Sequence, residues 1–132
     1  MSPSTDHKLS ELTRIHAQRE AQSVVDEITG VTAVIVATVD GFDVASVVRN
    51  GLDTARIAAL ASSIAAIGEV VSSETGLGRA KSITVGTEAG FAVIYNVHRN
   101  DIGLVIIVVA GVDAIIGQVN YRAAEVARKL SE

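Results

Sequence analysis

The side chains that could carry chemistry are few. The histidines are His7, His16 and His98, and their neighbourhoods read as a polar lead-in, a polar helix face and a hairpin end, not as a metal centre. His98 and Asp101, facing each other across the turn HRND, make the only acid/base pairing the spacing offers, and a polar hairpin tip explains the same four residues. Asp40 and Asp43 flank Gly41 in a manner that would suit a cation, yet Asp-Gly is also what a tight hairpin turn requires. The loop GLGRAKS has the look of a phosphate loop but has Thr75 and Ala80 where that motif needs glycine. It also follows a helix and enters a strand, the reverse of the order that aims free N–H groups at a phosphate. Serines are plentiful, but none sits in a G-x-S-x-G context. Arg49, Arg56, Arg79 and Lys81 form the one candidate positive patch, suited to an acidic partner or to a phosphate acted on in trans. The expectation is a protein without catalytic residues, metal or cofactor.

Composition narrows the remaining classes. At 132 residues the chain has the size of one domain, expected over residues 8–132 behind a disordered lead-in at 1–7. Eleven Lys+Arg against fifteen Asp+Glu leave a net charge of −4, the wrong sign for nucleic acid. Aromatics amount to 3% (Phe42, Phe91, Tyr95 and Tyr121), too few for stacking platforms or an aromatic-lined pocket. The absence of cysteine fits a reducing cytoplasm. The opening MSPSTDHKLS lacks the pattern of a secretory signal, and the longest purely apolar run, Leu104 to Val109, is far below the ~18 residues of a membrane span, so no membrane insertion is expected.

The elements follow from periodicity. Leu9, Leu12, Ile15, Ala21, Val24, Val25 and Ile28 recur at helical steps from Lys8 to Thr29, with Gly30 as C-cap. VTAVIVATV and FDVASVV, joined by Asp40-Gly41, read as a hairpin with strands near 32–39 and 42–48. Asp53 is positioned to cap a helix from Thr54 to about Ser73. Three short-connected strands follow, KSITVGT, FAVIYNVH and IGLVIIVVA, the last apolar without alternation and therefore an interior strand covered on both faces. Asp113 is expected to cap a final helix reaching about Leu130, with Ile115, Ile116, Val119, Ala123, Val126 and Leu130 on one face. The order α-β-β-α-β-β-β-α with short connections makes a three-layer α/β domain: an antiparallel five-stranded sheet with one helix on one face and two on the other.

The second helix carries two stripes. Ile57, Leu60, Ile64, Ile67 and Val71 are bulky and expected to cover the sheet. Ala58, Ala61, Ser62, Ala65, Gly68 and Ser72 are small and expected to let another backbone approach. Gly68 in mid-helix costs about 1 kcal/mol relative to Ala, which close helix contact would justify. That contact points to a second copy of the chain. The strand Ser82, Ile83, Thr84, Val85, Gly86, Thr87 is short and β-prone, and as a sheet edge it invites pairing.

This order of elements, with GVTAVIVATVDGFDVAS, the Ala/Ser-rich second helix, GLGRAKSITVGTEAGFAVIYNV and IGLVIIVVAGVDAIIGQVNYRAAEVARKL, resembles the Roadblock family of dynein light-chain-type proteins and their bacterial relatives over about Val24 to Leu130. The resemblance implies a Roadblock/profilin-like architecture and a homodimer or heterodimer in which third strands pair and second helices lie side by side. Ala58 to Ser72 and Lys81 to Thr87 occupy those positions. It also implies a non-enzymatic scaffold or regulator, without cofactor, that binds a Ras-like small GTPase. The alternative from a different class is a small-molecule sensor of the PAS or GAF sort, which the short loops and scarce aromatics count against. An enzyme using His98 and Asp101 is a third.

Overall fold

The computed structural model describes residues 9–131, so the expectation for residues 1–7 lies outside it. The elements are α1 (Glu11–Glu27), β1 (Val31–Thr38), β2 (Asp43–Val48), α2 (Thr54–Thr75), β3 (Ser82–Thr87), β4 (Gly90–Val97), β5 (Leu104–Gly111) and α3 (Ile116–Leu130). The five strands form one antiparallel sheet in the order β2-β1-β5-β4-β3. Helices α1 and α3 pack on one face and α2 on the other. This is the three-layer arrangement that the alternating and continuous apolar patterns require.

Two aliphatic cores sandwich the sheet. Val34, Val36, Val93, Leu104, Ile106 and Val108 meet Val24, Val25, Val119, Val126 and Leu130 beneath α1 and α3. On the other face Ile35, Ile94, Val105 and Ile107 meet Ala58, Ala61 and Ala65 of α2. Strand β5 lies between β1 and β4 and is buried along most of its length, as a run without alternation predicts. Gly30 opens β1 at φ +91°, and a Cβ there would stand 2.7 Å from the backbone nitrogen of Ala114, so only glycine lets this turn approach the one that follows β5.

Two helix ends depart from expectation. Helix α1 stops at Glu27 with Ile28 as its C-cap, the Ile28 N–H donating to the Val24 carbonyl, so Gly30 does not cap it. Asp53 does cap α2, its carboxylate accepting from the Arg56 N–H at 3.2 Å. Asp113 does not cap α3: the chain makes one more turn, Ala114 N–H donating to the Gly111 carbonyl, and the helix starts at Ile116 with Ile115 as its uncapped flank. Ile115 and Ile116 are therefore exposed, apart from the face that Val119, Ala123, Val126 and Leu130 bury. In α1 the buried stripe runs through Ala17, Glu20, Ala21, Val24 and Val25, which turns Leu12 and Ile15 outward.

Candidate interaction surface

Most of the two stripes of α2 is placed opposite to what the sequence pattern indicates, although Ile57 and Ile64 do pack at the margin of the core and Gly68 and Ser72 line an outer groove. Ala58, Ala61, Ser62 and Ala65 are buried against the chain's own sheet, at 0%, 1%, 7% and 4% exposure, so they cannot meet a second helix. The reason is volume. The sheet contributes the bulk on this face, Ile35, Ile94, Val105 and Ile107, and close packing demands small side chains opposite. Ser62 fits the buried stripe because its hydroxyl donates to the Thr38 carbonyl at 2.8 Å. Gly68 also serves an internal contact: a Cβ there would come within 2.6 Å of Ile83 Cδ1 on β3.

The bulky stripe points outward. Leu60, Ile67, Val70 and Val71 are each more than half exposed, and only Ile57 and Ile64 are partly covered at the margin of the core. By length and composition α2 is apolar enough to cross a bilayer, yet it lies flat on the sheet.

Beside that face the sheet ends in an open edge. Asn96 N–H donates to the Lys81 carbonyl, so Lys81 and Asn96 form an inward-facing pair. The register Ile83↔Ile94 and Val85↔Ala92 continues it, which turns the N–H and C=O groups of Ser82, Thr84 and Gly86 away from β4. Among the described residues no strand lies beyond β3. Ile64, Ile67, Gly68, Val71, Ser72 and Ile83 line an apolar groove between α2 and this edge. Leu77, 79% exposed, stands at its end. The edge character of β3 agrees with the reading of KSITVGT. The sequence pattern assigns the groove residues Ile67 and Val71 to the sheet and does not single out Leu77, although the signal, more bulky apolar positions on α2 than one face can bury, is present.

The other candidate residues do not assemble into a reactive site. Asp101 pairs with Arg99, at 2.9 and 3.1 Å, instead of His98. The Arg99 hydrogen bond, aided by the Ile102 N–H, holds the Asp101 carboxyl down at about 2 against the opposing effect of burial. Arg99 also donates to the Leu130 carbonyl, tying the hairpin tip to the end of α3. His98 lies 3.9 Å from Glu69. Asp43 accepts from the Thr54 hydroxyl, securing the start of α2. Among the described residues no group of three or more His, Asp or Glu side chains converges as a metal would need. The positive patch is dispersed: Arg49 reaches Asp26 and the Val25 carbonyl on the α1 face, while Arg56 and Arg79 stand near opposite ends of α2. GLGRA is a connecting loop that begins with Gly76 in the left-handed conformation closing α2.

One polar cluster went unread in the sequence because its members are far apart in the chain. Arg122 of α3, with its side chain 13% exposed, contacts Glu20 at 3.4 Å, Glu27 at 3.4 Å, Glu125 at 3.1 Å and the Ser23 hydroxyl at 2.8 Å. Lys129 and His16 add to Glu20 at 3.8 Å each. His16 thus faces a carboxylate one turn along α1. The Ser23 hydroxyl, 2.6 Å away, and then Arg122 lower the Glu27 pKa. The cluster joins α1 to α3 across the seam between them.

The described residues thus combine an open strand edge with an apolar groove beside it on a three-layer α/β frame. This architecture is the Roadblock/LC7 fold. The fold is shared with the Roadblock/LC7 domain from Streptomyces avermitilis at a TM-score of 0.74 and 19% identity, over 86% of this chain and 92% of that one. The gliding protein MglB from Thermus thermophilus superposes at 0.79 and 14% identity, over 93% and 91% of the two chains. MglC from Myxococcus xanthus superposes at 0.63 and 19%, over 88% and 97%. No family model and no curated protein matches the sequence.

Proposed function

We propose that the chain is a non-enzymatic, dimeric regulator or scaffold of the cytoplasm that presents a composite surface to a Ras-like small GTPase. One observation carries the dimer: the open edge of β3 is continuous with the exposed apolar face of α2. Two copies related by a two-fold axis would pair Ser82 to Thr87 with its counterpart antiparallel. The same symmetry would set Ile67, Val71, Ser72 and Leu77 of each copy against the other. Ladder hydrogen bonds would supply direction and the groove would supply apolar burial.

The GTPase partner follows from the resemblance to Roadblock proteins and from fold neighbours that include MglB, one of them described as having a tetrameric arrangement. The close seating of α2 argues against the sensor alternative, because buried Ala58 and Ala61 bring the helix down onto the sheet and narrow the space for a ligand between them.

The deciding experiment is calorimetric titration of the purified chain with the Ras-like GTPases of its own cell, loaded with GTP or with GDP. Binding of one of them, with a stoichiometry counted against dimers, is the expected result. Failure of every GTPase to bind, or stoichiometric GTP binding by the chain alone, overturns the proposal.

A further inference from the structure

The two edges of the sheet are treated differently, and the difference lies in one side chain. At the β2 edge, Arg49 N–H donates to the Thr32 carbonyl, which makes Thr32/Arg49 an inward-facing pair. Two residues along the register, Val34↔Val47 also faces inward, and Ser46, opposite Ile35, turns its N–H and C=O out of the sheet. Those two groups are occupied. The Gln18 side-chain amide donates to the Ser46 carbonyl at 3.0 Å, and its oxygen accepts from the Ser46 N–H at 3.2 Å. A primary carboxamide offers one donor and one acceptor side by side, the same pair that the peptide unit of an added strand would offer. Ala17 and Ala21, both at 0% exposure, hold the neighbouring turns of α1 against the core, so Gln18 is delivered from a fixed position. Arg49 ties the end of the same strand to Asp26 and the Val25 carbonyl. At the β3 edge, Ser82, Thr84 and Gly86 have no such cover among the described residues.

We infer that Gln18 acts as an edge guard: it stands in for a strand at β2, leaves β3 as the edge able to add one, and thereby closes assembly of this chain at two copies. The inference rests on the β3 pairing proposed above. A sheet with both edges open would continue, β3 to β3 and β2 to β2, into a filament instead of a closed pair.

The test uses the full chain with Gln18→Ala, which removes the carboxamide, favours α1 as a helix and adds no apolar surface. Gln22→Ala, whose amide donates to Asp26 within α1, is the control. Two measurements are made, hydrogen exchange at the Ser46 amide and mass by sedimentation velocity as concentration rises through the micromolar range. Gln18→Ala should speed exchange of the Ser46 amide by about fivefold or more, the loss of one such hydrogen bond. It should also add species beyond the dimer that grow with concentration, while Gln22→Ala matches the wild type. Adding Thr84→Pro, which takes the donor from the β3 edge, should return Gln18→Ala to a species no larger than a dimer. A Gln18→Ala chain with wild-type Ser46 protection, or one that never exceeds the wild-type mass, overturns the guard. A monomeric wild type, or a Thr84→Pro single variant that remains dimeric, instead overturns the β3 pairing. In the monomeric case closure at two copies falls with the pairing, and a Gln18→Ala chain that alone dimerises upholds only the cover of the β2 edge.

Discussion

Replacing Ile67 with Asp separates the outer face of α2 from its inner one. Ile67 is 63% exposed and lines the groove beside β3, so in the isolated chain its side chain contributes little to the fold. Covering a side chain of this size by a second copy removes on the order of 100 Å² of apolar surface, about 2.5 kcal/mol at ~25 cal/mol per Å². An isologous interface counts the change twice, once in each copy. Even if only half of that surface is covered, the loss is about 2.5 kcal/mol per dimer before the cost of desolvating two carboxylates, which together weaken association by at least about a hundredfold. The fold should be untouched, since exposed substitutions usually stay within about 0.5 kcal/mol. Sedimentation equilibrium measures the dissociation constant, and thermal unfolding followed by circular dichroism, at a dilution where both proteins are monomeric, measures the fold. Ala65→Arg is the counterpart. Ala65 is 4% exposed on the inner stripe, so an arginine there must be buried against Ile94 and Ile107 or push α2 off the sheet. Either outcome costs several kcal/mol out of a total stability of about 5 to 15, and the chain should lose its cooperative transition. An Ile67→Asp chain that dimerises like the wild type, or one that unfolds like Ala65→Arg, would refute this assignment of faces.

Thr84→Pro should yield a folded monomer, because it deletes an outward N–H of an edge strand and leaves the inward pairs Ile83↔Ile94 and Val85↔Ala92 intact; light scattering reads the mass. Arg122→Ala should destabilise by about 3 kcal/mol in chemical denaturation, because Glu20, with its side chain 11% exposed, loses its principal counter-charge. The Asp101 carboxyl is lower in the folded chain, at about 2, than its ordinary value of 3.8, so its contribution is present above pH ~4 and is lost as pH falls through about 2. Asp101→Asn should therefore flatten acid unfolding between those values, by less than about 1 kcal/mol since the Asp101 side chain is 57% exposed. An unchanged acid limb would contradict the Arg99 pairing.

Most of the fold was legible from period and punctuation. The run Leu104 to Val109 announced a strand with both faces covered, Asp40-Gly41 a hairpin, and Asp53 a helix start, because each depends on local chemistry that the neighbouring residues supply. The inward stripe of α2 was not legible. Periodicity separates Ala58, Ala61 and Ala65 from Leu60, Ile67 and Val71 but does not say which set meets the sheet; that is decided by Ile35, Ile94 and Ile107, which come from three different strands. Asp113 failed as a cap for a similar reason: the turn from Gly111 to Ala114, packed against Gly30 across the fold, delays the helix. The Arg122 cluster and the Gln18 contact with Ser46 join residues 102 and 28 positions apart, which no local pattern reports.

The division of α2 into a frozen underside and a bulky exterior assigns two kinds of information to one helix. Substitutions at Ala58, Ala61 or Ala65 are read by the fold, because the space beneath them is already full. Substitutions at Leu60, Ile67, Val70 or Val71 are read only when another molecule arrives. Partner choice can therefore drift without a toll on stability. Duplicated copies could diverge at those four positions until each prefers the other over itself, while the scaffold beneath stays the same. A library randomised at 60, 67, 70 and 71 should be rich in folded chains that differ in whom they bind, and one randomised at 58, 61 and 65 should be poor in folded chains of any kind.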